Sequence, residues 1–226
     1  KDWANSANWI KANPNLGVSV KLDDLERLAA RAKEMPAALA AFKRLRLGIW
    51  TEAESPWIDM DVYDQNNKHP ISPKDYIGES CFVGLDLSTT TDITARVELF
   101  GCPHTPGAID VVAHFWVPEE SIEKRSRSDR VPYNVWADQG WITPTEGNVV
   151  DYDILREDTK AQSAIYQFSE IAYDPWNATQ LATQLTSDGA LMVPIRQGFG
   201  SLSEPTKALE KLLLARKFHH GGNPVL

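Results

Sequence analysis

Val83–Ala95 reads VGLDLSTTTDITA, and Ile171–Trp176 reads IAYDPW. Each is an apolar run that ends on an acid, Asp86 in the first and Asp174 in the second. Cys81–Leu87 is mostly apolar, the pattern of a strand covered on both faces. After it, Ile93, Ala95, Val97 and Leu99 alternate with Thr94, Arg96 and Glu98, the period of a half-buried strand. Ile109–Val117 (IDVVAHFWV) is a third strand, and the Gly101–Gly107 segment before it, with two prolines, fits a hairpin connection.

Helices and strands alternate downstream. Ile154, Leu155, Ile165 and Phe168 predict a helix over 153–168, capped by Asp151 or Asp153. Ile171–Asp174 is a short strand. Asn177-Ala178-Thr179-Gln180 has capping-box spacing and opens a helix carrying Leu181, Ala182 and Leu185, stopped by Gly189. Leu191–Ile195 is another strand, and Ser203-Glu204-Pro205 starts a last helix with Leu209, Leu212 and Leu213 on one face. Three consecutive strands followed by α-β-α-β-α predict an α/β fold: a ribonuclease H-like mixed β-sheet flanked by helices.

Upstream, residues 1–75 read as a helical arm and linker, and 76–226 as the sheet domain, with an insertion at about 118–150 that is polar and irregular. In the arm, Leu22, Leu25, Leu28, Ala29 and Ala32 predict a helix over 22–34. Pro36 interrupts it, and Leu39, Phe42 and Leu45 predict a second over 37–47. Residues 51–75 read as an irregular linker.

The 226 residues allow one large domain or a domain with an arm. A net charge of −8 argues against nucleic-acid binding by bulk field alone, but leaves room for a metal-dependent nuclease, whose site is itself acidic. Two cysteines, Cys81 and Cys102, give no disulfide framework and point to a reducing compartment. No apolar run is long enough for a membrane span, and no signal-peptide core opens the chain. A start at Lys1 without Met and a stop at GGNPVL read as a fragment of a longer protein.

In a sheet of this order the carboxyl ends of central strands form the functional edge. Parallel neighbours would bring Asp86 and Asp174 together there. Two carboxylates in one site repel, so one is driven to protonate unless a divalent cation compensates. Mg²⁺ and Mn²⁺ take oxygen ligands, and two such ions about 4 Å apart support phosphodiester cleavage. Each acid taken singly also reads as a turn or cap residue; Asp92 reads as a hairpin-turn residue. His219 and His220 read as a solvated loop pair, and Trp116 and Trp176 as packing residues. Lys124, Arg125, Arg127 and Arg130 form a basic cluster, either solvated or in contact with phosphates. Gln197–Ser203, with Arg196 before it and Ser201 within it, precedes a helix and reads as a capped loop or a phosphate-holding one. No G-x-x-x-x-G-K-[ST] phosphate loop is present, so ATP binding is not expected of this chain.

Several motifs, taken in order, resemble the large terminase subunit of tailed bacteriophages in its C-terminal nuclease domain. They are WIKANPNLG at 9–17, GLDLSTTTDITA at 84–95, WVPEE at 116–120, RVPYNVWADQGWITPTEGNVVDYD at 130–153, IAYDPWNATQLATQL at 171–185 and VPIRQGFGSLSEPTKALEKLLLARKFHHGGNPVL at 193–226. The resemblance implies a metal-dependent endonuclease using Mg²⁺ or Mn²⁺ that cuts concatemeric double-stranded viral DNA during genome packaging in the host cell cytoplasm. It implies Asp86 and Asp174 as catalytic metal ligands, and a third acid beyond the NPVL motif, which this chain lacks. Implied partners are double-stranded DNA, the terminase ATPase domain, the small terminase subunit and the portal. The competing expectations are a non-catalytic module docking the motor to the portal, and a transposase or resolvase of the same fold.

Overall fold

Strand pairing sets the architecture. The computed structural model describes residues 3–34, 36–49, 57–67, 70–88, 92–176 and 178–226. The chain divides into two units, Lys1–Asp61 and Val62–Leu226.

In the first unit, a 3₁₀ turn (Ser6–Lys11) precedes helices α1 (Leu22–Glu34) and α2 (Pro36–Leu47). Leu25, Ala29 and Ala32, spaced by four and three residues, share one stripe of α1 and are buried with Trp9 and Phe42. The Phe42 ring meets Trp3 and Trp9 edge-on, with centroids 5.9 and 5.7 Å away. The two arm helices therefore form as their periodicity predicts. The linker expectation for 51–75 gives way to more order: α3 (Met60–Asp64) and two 3₁₀ turns occupy much of it, while 51–56 and 68–69 lie outside the described residues. Within the second unit, Asn66 is buried, with its amide nitrogen donating to the Val62 and Leu213 carbonyls at 2.8 and 3.1 Å. Val62–Asn67 thus belong to the second unit.

That unit is built on β1 (Ser80–Asp86), β2 (Thr94–Gly101) and β3 (Ile109–Pro118), joined antiparallel. The Cys102 amide donates to the Ala108 carbonyl at 2.9 Å and closes the β2–β3 hairpin. Next come α4 (Glu119–Asp129), α5 (Tyr133–Asp138) and β4 (Thr143–Thr145). The remainder is α6 (Tyr152–Ile165), β5 (Gln167–Tyr173), α7 (Thr179–Ser187), β6 (Met192–Pro194), α8 (Phe199–Leu214) and β7 (Phe218–His219). The sheet order is β4-β3-β2-β1-β5-β6, with β7 also on β3. β5 runs parallel to β1, and β6 parallel to β5.

Alternation assigns the two faces. Cys81, Val83, Leu85, Phe100, Val112 and Trp116 line one, beneath Leu155 of α6 and Leu181 and Leu185 of α7. Phe115 and Val117 line the other, beneath Ile122 of α4, Tyr133 of α5 and Ile142. Helices therefore cover both faces, and the mixed α/β architecture expected of the sequence is the one present. Among the described residues no helix is long and apolar enough to cross a membrane.

Three local expectations need correction. The 118–150 stretch is only partly irregular: α4, α5 and β4 run through it, and the few apolar residues of α4 and α5 suffice to bury one side. The last helix begins at Phe199 rather than Ser203, so Pro205 lies inside it; the ring costs one backbone bond there without ending the helix. Asn177 lies outside the described residues, and α7 has no side-chain cap from Ala178. At α6 the cap is Asp151, whose Oδ1 accepts from the Asp153 amide at 2.8 Å. Asp151→Ala is expected to cost about 1 kcal/mol in urea unfolding, with Asp153→Ala nearly neutral.

Candidate active site

The β1–β5 pairing sets Leu85 opposite Tyr173. The next residue of each strand is an acid, so Asp86 and Asp174 emerge at the same carboxyl edge of the sheet. Asp174 is half-buried, and its Oδ1 accepts the Trp176 backbone N–H at 3.1 Å, which fixes the carboxylate in the turn after β5. Asp86 is solvent-accessible at the end of β1. Its carboxyl is held above the ordinary range by the protein packed around it first, then by the charges of Asp92 and Asp174; the Leu87 amide pulls the other way.

Asp92 has two roles where the sequence suggested one. As expected of a turn residue, it accepts the Ile93 amide at 2.9 Å, and its own amide donates to Ser88 Oγ at 2.9 Å. Its charge also bears on Asp86, ahead of that of Asp174. The signal was available: antiparallel pairing of Asp86 with Ala95 returns the chain to the same edge within a few residues.

Accessible carboxylates whose charges oppose one another match the donor chemistry of a hard cation. Asp86 and Asp174, with Asp92 beside them, fit Mg²⁺ or Mn²⁺, which take oxygen ligands and retain waters.

A second ligand-type group lies elsewhere. Among the described residues, Cys102, Asp110 and His219 offer atoms within 4.8 Å of one another, all buried. Asp110 pairs with Phe100 and Asp86 with Ala95, so the two groups lie about five residues apart along β2, roughly 17 Å. Ligand atoms on a tetrahedral zinc lie about 3.3 Å apart or more, given bonds of 2.0 Å. His219 Nδ1 is 2.5 Å from Asp110 Oδ1, a hydrogen-bond distance, and Tyr76 Oη donates to Asp110 Oδ2. Donors from Tyr76, His219 and Cys102 outweigh burial and hold the Asp110 carboxyl below its ordinary range. The group is a buried hydrogen-bonded hub joining β3, β7 and the turn at Tyr76. The histidine pair is accordingly no solvated loop: His219 and His220 are 8% and 4% exposed, and His220 stacks on Tyr63 at 4.1 Å.

The basic cluster divides. Arg125 is turned inward, its guanidinium 4.5 Å from the Tyr133 ring centroid and 3.0 Å from Tyr133 Oη, with Asp129 at 3.4 Å. Lys124 and Arg130 are exposed, and Arg127 pairs with Glu123 at 3.1 Å in the open. Arg196 is exposed just before α8, and Ser201 lies in the first turn of α8 rather than in a loop. Trp116 packs in the core as expected, but Trp176 does not: it is 77% exposed, two residues from Asp174.

A mixed sheet with two acids at the carboxyl edge of adjacent parallel strands, and helices on both faces, belongs to the ribonuclease H-like class. Residues 1–226 match the family described as the terminase large subunit, endonuclease domain, and the chain belongs to it. Its whole length is 31% identical to the large terminase subunit of Enterobacteria phage HK97, covering 44% of that protein. It is 30% identical to Protein YmfN of Escherichia coli strain K12, covering 51% of it. The fold matches the crystal structure of the HK97 bacteriophage large terminase with a TM-score of 0.67 at 30% identity, over all of this chain and 46% of that one. The chain thus spans about half the length of the relatives it matches.

Proposed function

We propose that this chain is the metal-dependent nuclease of a phage large terminase, and that it cuts concatemeric double-stranded DNA during packaging in the host cytoplasm. The observation that carries the reading is the meeting of Asp86 and Asp174 on one sheet edge from positions 88 residues apart in sequence.

Asp86 and Asp174 would hold Mg²⁺ or Mn²⁺, with Asp92 adding negative potential. Such an ion, when bound, neutralises the clustered charge and lowers the pKa of a coordinated water, supplying a nucleophile near neutral pH. The chain's own residues orient the acids: the Trp176 amide holds Asp174, and the β1–β5 ladder holds both backbones in register. Exposed Lys124, Arg130 and Arg196 would contact the phosphodiester backbone, as would Arg127 once free of Glu123. Ser201 would add a hydroxyl at the start of α8. Arg125, committed to Tyr133, would shape that surface rather than touch DNA. None of these groups forms a base-reading motif, which fits cleavage with little sequence preference. An ATPase domain, a small subunit and a portal would complete the packaging machine.

The test is nicking and linearisation of supercoiled plasmid by the protein at its native length. Cleavage should require Mn²⁺ or Mg²⁺ and stop with EDTA. Cleavage undiminished in EDTA would overturn the metal-dependent reading.

A further inference from the structure

Ser88 lies two residues beyond Asp86, and every polar group it carries is engaged. Its amide donates to Thr94 Oγ1 at 3.0 Å, and its carbonyl accepts from Thr94 Oγ1 at 3.4 Å. Its hydroxyl oxygen accepts the Asp92 amide at 2.9 Å. The carbonyl also accepts from Tyr152 Oη at 3.1 Å, from the first residue of α6. Ser88 and Thr94 are both buried. The bonds form one connected set: Thr94 at the start of β2, Ser88 after β1, Asp92 between them, and Tyr152 arriving from 64 positions away.

α6 is itself anchored. Asp158 and Thr159 take Arg96 Nη1 at 2.7 and 3.1 Å, and Arg156 grips Asp188 with two bonds of 2.7 and 2.8 Å. Tyr152 therefore reaches Ser88 from a fixed support. Without a cation, Asp86 and Asp92 repel, and that repulsion favours spreading the two carboxylates apart. The Ser88 bonds oppose such spreading, and a site held in its binding arrangement before the ligand arrives loses less on binding.

We propose that Tyr152 is a positioning residue for the acidic site: through Ser88 and Thr94 it holds Asp86 and Asp92 in the arrangement that takes a divalent cation. This rests on the reading of Asp86 and Asp174 as a cation site. Tyr152 touches neither cation nor DNA; it acts through the Ser88 carbonyl.

The test uses the protein at its native length, with Mn²⁺ as the probe. Free Mn²⁺ is followed by electron paramagnetic resonance, and amide exchange is measured over 86–94 in metal-free buffer. Tyr152→Phe removes one hydroxyl and keeps the ring. It is expected to raise the half-saturating Mn²⁺ concentration about five-fold, the scale of one net hydrogen bond, and to speed exchange at Ser88 and Asp92. Cleavage at saturating Mn²⁺ should stay within about two-fold of wild type. Thr94→Val should shift the titration in the same direction, while Thr94→Ser, which keeps the hydroxyl, should restore it. A Tyr152→Phe titration superimposed on wild type, with unchanged exchange, would overturn the proposal. Asp86→Asn separates the two readings. If Asp86→Asn binds Mn²⁺ as well as wild type, the cation site itself is wrong. If it loses Mn²⁺ while Tyr152→Phe matches wild type, only the positioning role falls.

Discussion

Asp86→Asn is expected to lower Mn²⁺-supported plasmid cleavage by roughly a hundredfold or more, because even groups that only support a metal ligand are worth 10- to 100-fold. The same substitution should leave the fold intact or make it slightly more stable in metal-free buffer. Asparagine keeps the size of the side chain, and Asp86 lies in the open at the end of β1. Its folded pKa is raised by packing and by Asp92 and Asp174. A carboxyl raised in the folded state favours folding while protonated and loses that advantage as pH rises through the folded value. The ionised form of Asp86 is opposed by its neighbours, and the amide removes that opposition. In differential scanning fluorimetry the variant should therefore melt at or above wild type without metal. It should also lack the rise in Tm that Mn²⁺ gives wild type, since a ligand stabilises only in proportion to its binding. A variant that still cuts plasmid at the wild-type rate, or keeps the full Mn²⁺-induced Tm gain, would remove Asp86 from the site. A misfolded variant would instead melt lower in both buffers, so folding loss and ligand loss are distinguishable.

The acids were legible because strand pattern and strand order are local and additive signals. Cys81–Leu87 and Ile171–Asp174 each read as strands from a handful of apolar residues, and the element order then put them side by side. The structure pairs them in the register that sets Asp86 next to Asp174. α1 and α2 were legible for the same reason, their stripes repeating at helical spacing. The hub at Asp110 was not. Its members come from the turn at Tyr76, the end of β2, the start of β3 and β7, and no spacing links Cys102 to His219. Tyr152 was hidden likewise: its partner is a backbone carbonyl, which every residue carries.

Composition misled where polar residues hide a buried side. KRSRSDR at 124–130 suggested an open loop, yet α4 runs through it, and Arg125 folds back onto Tyr133. Trp176 erred in the other direction, since a large ring usually packs and this one does not. Ring size reports the area available for burial, while the turn after Asp174 decides which way the ring faces.

Arg96→Met is expected to destabilise the protein by about 3–5 kcal/mol, the cost of removing one partner from a buried ion pair. Arg96 is fully buried on the inner face of β2. Its Nε lies 2.6 Å from Glu98 Oε1, its Nη1 2.7 Å from Asp158 Oδ2, and its guanidinium 5.3 Å from the Trp116 ring centroid. Methionine fills much of the same volume, so the loss is chiefly electrostatic. Glu98 is also fully buried, and burial outweighs its Arg96 partner enough to push its pKa up to about 7. Nearby His114 is driven down to about 4, by burial first and by Arg96 second. It is therefore neutral near pH 7, with Nε2 3.6 Å from Glu98 Oε2. Without Arg96 the Glu98 carboxyl rises further, because the Arg96 charge and hydrogen bond are the largest effects that oppose its burial. A carboxyl raised above its unfolded value contributes stability that is complete below about pH 4.5 and is lost as pH rises through the folded value. The Glu98 part of the Arg96→Met deficit should accordingly grow once pH passes about 7, where wild-type Glu98 ionises and the variant's does not, at up to about 1.4 kcal/mol per pH unit. His114 relaxes upward once the arginine charge is gone, so the variant gains less stability than wild type as pH rises toward 6.5, which adds to the growth of the deficit in the lower part of the range. Urea unfolding of both proteins at pH 5, 6.5 and 8 measures the trend. A deficit under about 1 kcal/mol, or one that shrinks with rising pH, would show that Arg96 does not hold the Glu98 charge in the core.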